Sequence, residues 1–77
     1  MIRKKLASYA HDAWSGWMKY LFQKSTLNTD GTVTIPQWAV KRWTRQMNTG
    51  YKDLPETERK SDLKEADEIL VIINMEV

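Results

Sequence analysis

The segment from residue 2 to residue 24 most constrains the fold, because its residue spacing predicts one long helix that is apolar over more than half of its surface. The positions that form this apolar surface are Leu6, Ala7, Ala10, His11, Ala13, Trp14, Trp17, Met18, Tyr20, Leu21 and Phe22. They span roughly 220° of a helical wheel, whereas an ordinary surface helix needs an apolar stripe of little more than about 100°.

This wide arc leaves two interpretations open. Either the helix lies centrally and the other helices wrap around it, or its surplus edge is a ligand groove or an oligomer contact. The surplus edge carries His11, Trp14, Met18 and Phe22. Because few other segments are available to cover the arc, we expect self-association, most simply as a homodimer, through this edge or through the apolar residues 69–73.

Two proline-led segments predict two further helices. The second helix is expected over residues 36–48 and the third over residues 55–73. Pro36 and Pro55 suit the first turn of each helix, where a missing N–H costs nothing. Gly50, just past the second helix, suits a left-handed C-cap.

The pair Asp30-Gly31, flanked by residues 32–35, fits either a β-hairpin or one extended arm. A chain of 77 residues forms one domain, residues 1–77, and buries only about 60% of the surface that its unfolded chain exposes. The expected fold class is mainly all-α: a small three-helix domain with a short extended or hairpin segment near residues 32–35.

The second helix carries a candidate contact surface. Its predicted buried stripe consists of Pro36, Ala39, Val40, Trp43 and Met47. Trp38, Arg42 and Arg45 fall on the far side, at spacings of four and three residues. An arginine can stack on an indole ring and still direct donors at a phosphate or a carboxylate. The cluster is either a self-contained cation–π group or a contact surface for an anionic planar ligand or an acidic protein.

The third helix has a predicted stripe that leads back to a charged pair. The stripe consists of Leu63, Ala66, Leu70 and Ile73. Extended towards the N-terminus, it meets Arg59, with Asp62 beside it. These two residues are either a half-buried ion pair that fixes helix packing, or a site where Arg59 offers its guanidinium to a ligand.

Charge and hydropathy limit the classes of partner. The chain has 12 basic and 10 acidic residues, for a net charge of +2, which argues against a protein that coats nucleic acid. No apolar run approaches the roughly 20 residues of a transmembrane helix. The basic and aromatic start lacks a signal-peptide core. We therefore expect a soluble cytoplasmic protein that does not contact membranes.

The residues needed for catalysis or metal binding are missing. One histidine and no cysteine do not build a Ser-His-Asp or Cys-His arrangement, and no glycine-rich phosphate loop is present. The acidic run at residues 62–68 has no histidine at ligand spacing, so no metal site is expected. The sequence predicts a non-enzymatic protein that needs no cofactor.

Several motifs follow one another in a distinctive order. "HDAW" precedes a second Trp and a Tyr, then an Asp-Gly turn, a proline and finally "YKDLPETERKSD". This order resembles the ryanodine-receptor-type (RyR) domain over roughly residues 11–70, most specifically over residues 51–62. The matching positions are His11, Trp14, Trp17, Tyr20, Asp30, Pro36, Tyr51, Leu54, Pro55, Glu56, Glu58, Arg59 and Asp62. The chain is also similar to short proteins of this pattern that many bacteriophages encode.

The resemblance implies a small, mainly helical module that binds a ligand or a partner and is not an enzyme. The channel-type repeats have a shorter crossing where this chain has its second helix, so Trp38, Arg42 and Arg45 inherit no role from the family. A phage setting implies host takeover or counter-defence, for example by a small oligomer that sequesters a nucleotide-derived immune signal.

Two functions stay open. In the first, helix aromatics and arginines hold a planar, anionic, nucleotide-like molecule. In the second, an aromatic helix face docks on a host protein and inhibits or regulates it. The candidate binding residues are His11, Trp14, Met18, Trp38, Arg42, Arg45 and Arg59. A ligand binder needs a concave site where Trp and Arg converge, whereas an interaction surface can be flat.

Overall fold

The computed structural model describes residues 1–75, which form three α-helices and one small β-hairpin. The elements in chain order are α1 (Ile2–Lys24), β1 (Thr26–Leu27), β2 (Val33–Thr34), α2 (Gln37–Met47), a 3₁₀ helix (Tyr51–Asp53) and α3 (Glu56–Met75). The expected fold class, a mainly α three-helix domain with a short hairpin, is confirmed.

The Asp30-Gly31 turn closes a hairpin rather than ending an extended arm. The antiparallel register pairs Thr26 with Thr34 and Leu27 with Val33. Gly31 has a φ of 88°, a left-handed conformation that glycine adopts without a steric penalty. The carboxylate of Asp30 accepts hydrogen bonds from the hydroxyl of Thr32 at 2.6 Å and from its backbone N–H at 3.0 Å. These bonds hold the pKa of Asp30 below its ordinary value.

The C-terminal end of α2 differs from the prediction. Asn48 Nδ2 donates to the carbonyl of Thr44 at 2.8 Å, and Thr49 Oγ1 donates to the carbonyl of Arg45 at 2.6 Å. These side chains satisfy carbonyls that a helix end leaves without intrahelical partners. Gly50 has φ −67° and ψ 154°, so the predicted left-handed cap at this residue is wrong.

The buried part of residues 1–75 is small and includes α2. Ala39 is 0% exposed, and Leu54, just after the 3₁₀ helix, is also buried. The predicted stripe of α2 is correct for Ala39 and for the half-buried Trp43, but Val40 and Met47 are exposed. The prediction is wrong for these two residues because only the side of α2 with Ala39 and Trp43 is covered.

α3 packs against α1 along one side only. Tyr9 Oη donates to Glu65 Oε2 between the two helices, and Ile72 is half-buried. The predicted stripe, here named the α3 seam, consists of Leu63, Ala66, Leu70 and Ile73, and all four residues are exposed. At about 100° per residue, the seam lies roughly 120° around the helix from Glu65 and Ile72. The prediction that this stripe is buried is therefore wrong within a single chain.

The shape of the chain is extended for its length. Its radius of gyration is 15.7 Å, whereas a compact domain of this length has about 11.5 Å. Its accessible surface is 6516 Å², against about 4900 Å² for a compact monomer of 9.1 kDa. Much apolar surface therefore has no cover within the chain. Within residues 1–75, none of the helices combines the length and the apolar character that crossing a bilayer requires.

Candidate ligand-binding cleft

A cleft lies between α1, α2 and the first half of α3. It consists of two adjoining cavities with volumes of about 560 Å³ and 590 Å³, within the range of small-molecule sites. The residues that line both cavities are Trp17, Arg42, Gln46, Ser61 and Asp62. We call these five residues the shared wall.

The first cavity combines aromatic rings with hydrogen-bonding side chains. Trp17 of α1 and Tyr51 of the 3₁₀ helix both line it, and each is about half exposed. Thr49, Thr57 and Ser61 add hydroxyl groups. This lining can stack on a flat ring and form hydrogen bonds with its polar substituents.

A continuous series of aromatic contacts connects the cleft to the outer face of α2. Trp17 and Tyr20 meet edge to face, with ring centroids 6.2 Å apart. Tyr20 contacts Trp43 at 6.4 Å, and Trp43 contacts Trp38 at 6.3 Å. The guanidinium of Arg42 lies over the ring of Trp38, 5.1 Å from its centroid. Trp38 therefore supports the one arginine that belongs to the shared wall.

Arg45 is engaged by α3. Its two terminal nitrogens donate to the two carboxylate oxygens of Glu58 at 3.1 Å and 2.6 Å. This bidentate pair lowers the pKa of Glu58 and raises the pKa of Arg45, because each charge is hydrogen-bonded to its opposite. A phosphate that bound Arg45 would have to displace a carboxylate that joins α2 to α3.

Arg59 is engaged as well. It is half-buried and donates to the backbone carbonyl of Leu54 at 2.7 Å, which fixes the start of α3 to the preceding loop. Asp62 lines both cavities instead. Within residues 1–75 the two side chains do not form the ion pair that was one of the two expectations, because the Leu54 carbonyl takes up the guanidinium.

The predicted edge of α1 lies apart from the cleft. His11 and Trp14 stack with ring centroids 6.0 Å apart and an interplanar angle of 26°. Trp14 and Phe22 are exposed, while Met18 is half-buried. In the described part of the chain, neither cavity counts these residues among its lining. The edge is a separate surface.

The structure thus divides the predicted site residues among several places. Arg42 lines the cleft, and its guanidinium stacks on the ring of Trp38. Arg45 and Arg59 bind other parts of the protein instead. Sequence reasoning did not propose Trp17 as a ligand residue, since Trp17 belongs to the apolar arc of α1 but not to its surplus edge. Its exposure depends on where α3 packs, and the spacing of α1 alone carries no signal for that.

Comparisons with known proteins do not assign a function to this chain. No protein-family model, curated protein or solved structure matches this chain. The resemblance to the RyR domain therefore stays a prediction, and the function is argued from the residues of the cleft.

Proposed function

We propose that this protein is a non-catalytic binding module whose cleft holds a planar, anionic, nucleotide-like ligand. The observation that carries the proposal is the convergence of Trp17 and Arg42 on the shared wall of both cavities. An indole ring stacks on a nucleobase. A guanidinium forms charge-assisted, often bidentate hydrogen bonds with phosphate.

The charges of the lining favour one orientation of the ligand. In the first cavity, Arg45 compensates Glu58, so among the described residues Asp62 is the one remaining carboxylate beside the positive charge of Arg42, and this lining is less acidic than that of the second cavity. The charged residues of the second cavity are Asp12, Arg42, Asp62, Lys64, Glu65 and Glu68. Its mainly acidic lining repels phosphate but accepts hydrogen bonds from ribose hydroxyls or base amino groups. The phosphate is therefore assigned to the first cavity.

In this proposal the protein binds the ligand in order to sequester it. A module of this kind needs only to hold its ligand, and no group has to be placed for bond making or breaking. The resemblance to phage proteins adds a candidate class of ligand, the nucleotide-derived signals of a host immune system. The proposal places the protein in the cytoplasm of the host cell, where such signals are made.

AMP is the probe for this proposal, with adenosine and inorganic phosphate as matched arms. Binding is measured by isothermal titration calorimetry on the purified chain. Arg42→Ala is expected to weaken AMP binding about 30-fold, the loss that corresponds to an anchor worth about 2 kcal/mol. Lys41→Ala removes the same charge from a neighbouring position outside the cleft lining, and should leave the affinity unchanged.

A second variant distinguishes the contribution of the base from that of the phosphate. Trp17→Ala is expected to weaken AMP and adenosine alike, because both carry the base. Arg42→Ala should weaken AMP but not adenosine, which has no phosphate. Equal losses of AMP affinity in Arg42→Ala and Lys41→Ala would show that only the net charge matters. Failure of both AMP and adenosine to bind at millimolar concentration would overturn the ligand class.

A protein-interaction module is the second candidate, and the exposed edge of α1 favours it. Trp14 is exposed beside His11, and tryptophan is enriched among the residues that dominate protein interfaces. A photo-crosslinking amino acid in place of Trp14 should give a discrete product with a host protein, while one in place of Gln23, on the opposite side of α1, should not. Equal products from both positions would count against this surface.

A further inference from the structure

We infer that two copies of this chain associate through the α3 seam to form a symmetric dimer. The seam residues 63, 66, 70 and 73 are separated by three, four and three positions. This is the spacing of the a and d positions that meet in a pair of packed helices. The inference goes beyond the proposed function, because none of the four seam residues lines the cleft; Asp62 is the cleft residue that lies next to the seam on the helix.

Within residues 1–75, all four residues of the seam are exposed. Leu63 and Leu70 are each about half exposed, and the neighbouring Val71 is exposed as well. The C-terminal half of α3 reads "ILVIINM" and is apolar nearly all round, a property of buried helices. Among residues 69–75, Ile72 alone is half-buried, and the others are exposed.

The exposed surface of the whole chain is large enough to accommodate a dimer interface. The chain exposes 6516 Å², roughly 1600 Å² more than a compact monomer of its mass. A standard protein–protein interface buries about 800 Å² on each partner, and obligate homodimers bury more. One interface of this kind therefore removes a large part of the excess.

A second copy is the occupant that fits best. A two-fold symmetric interface brings the same patch of both subunits together, so the patch has to complement itself. The α3 seam meets this condition, because every copy brings an identical apolar a/d row of 3-4-3 spacing. An unrelated partner would have to supply a matching row of its own.

Sedimentation equilibrium over a range of protein concentrations tests the dimer. The unchanged protein is expected to sediment at twice its chain mass of 9.1 kDa at micromolar concentration and above. Leu70→Lys places a charge in the seam and should sediment as the monomer. Val71→Lys is the matched control: Val71 is 54% exposed against 52% for Leu70, but it lies about 100° around the helix. It should remain a dimer.

A cross-linking measurement covers the case in which Leu70→Lys also loses helicity. The chain has no cysteine, so a single introduced thiol reports one position. Ala66→Cys in the seam is expected to cross-link between copies with a short bis-maleimide, whereas Lys64→Cys, on the cleft side of α3, is not. These small, exposed changes leave the helix intact.

Three results would overturn the dimer: a monomeric mass of the unchanged protein at every concentration, a dimer that survives Leu70→Lys, or equal cross-linking from both cysteine positions. AMP binding to Leu70→Lys is measured in parallel and is expected to be unchanged. The dimer and the proposed ligand site can therefore fail separately.

Discussion

α2 and α3 each carry an apolar stripe, but the two stripes reach different degrees of burial. α2, 11 residues long, buries Ala39 completely and contacts other rings through Trp43. α3, 20 residues long, leaves its seam exposed. Apolar spacing therefore predicts which face of a helix needs cover, but not whether the same chain provides it.

The connections of the two helices explain the difference. α2 lies between the hairpin and the 3₁₀ helix, so its two ends are fixed by short neighbouring segments. α3 is fixed mainly over its first half, where Glu58 binds Arg45, Arg59 binds the Leu54 carbonyl, and Tyr9 reaches the middle of the helix. Its C-terminal half continues past these contacts.

Trp43→Ala should produce the largest effect on the α2 side of the comparison. The half-buried ring contacts both Tyr20 and Trp38, and its truncation is expected to lower the free energy of unfolding by about 3 kcal/mol. Urea denaturation measures the loss. Met47→Ala, at a strongly exposed position of the same helix, should change stability by less than about 0.5 kcal/mol. Equal losses would mean that the aromatic series does not hold α2.

Much of the fold could be predicted from the sequence, because local chemistry decides it. The observed bounds of α1 match the predicted residues, and Pro36 and Pro55 directly precede the helices that they predict. The Asp30-Gly31 turn left a hairpin and an extended arm open, and the structure has the hairpin. The end of α2 near Asn48 is correct, but its predicted glycine cap is wrong, since the side chains of Asn48 and Thr49 close the helix and Gly50 takes an extended conformation.

Less of the candidate site could be predicted, because it depends on contacts between distant segments. Arg42 was proposed from its position beside Trp38, and the cation–π contact between them is present. Arg45 has the same charge and a similar position, but it forms an ion pair with Glu58, 13 residues away. Trp17 was placed in the apolar arc of α1 and not on its surplus edge, whereas the packing of α3 leaves it in an open cleft.

Ala39→Leu sharpens the comparison at the most buried position of α2. Ala39 is 0% exposed, so the larger side chain has to displace its neighbours, at a cost of about 2 kcal/mol. Val40→Leu enlarges the adjacent, exposed side chain and should be nearly neutral. Thermal unfolding of the two variants distinguishes them. An unchanged melting temperature in Ala39→Leu would show that the interior around α2 is loosely packed.

Lowering the pH tests the contact that joins the two helices. The bond from Arg45 depresses the pKa of Glu58 below its ordinary value of 4.5. Its stabilising contribution is therefore complete above about pH 4.5 and is lost as the pH falls through the folded-state pKa. The pKa of Asp30 is also lowered, so its hydrogen bonds to Thr32 likewise lose their stabilising contribution as the pH falls. Melting temperatures from pH 7 down to pH 3 should fall less steeply in Glu58→Gln than in the unchanged protein, and parallel curves would contradict the assignment.

Trp38→Ala is expected to have the smallest effect on stability. Trp38 lies on the outer side of α2 and is 44% exposed, so its loss should cost about 0.5 kcal/mol, as at other surface positions. Its effect on AMP binding should be larger than its effect on folding, because Arg42 loses the ring on which it stacks. An exposed cation–π contact is worth about 0.5–1 kcal/mol, which corresponds to an affinity loss of about two- to five-fold.

Trp38→Phe separates the support of Arg42 from the general packing of α2. Phenylalanine keeps an aromatic face for the guanidinium, so this variant should retain most of the AMP affinity that Trp38→Ala loses. A fall of ten degrees or more in the melting temperature of Trp38→Ala would be a core-type loss, of order 2 kcal/mol for a domain of this size. The aromatic contacts would then stabilise α2 on its outer side as well as on its buried side. The difference in packing between α2 and α3 would be greater than the burial of their residues indicates.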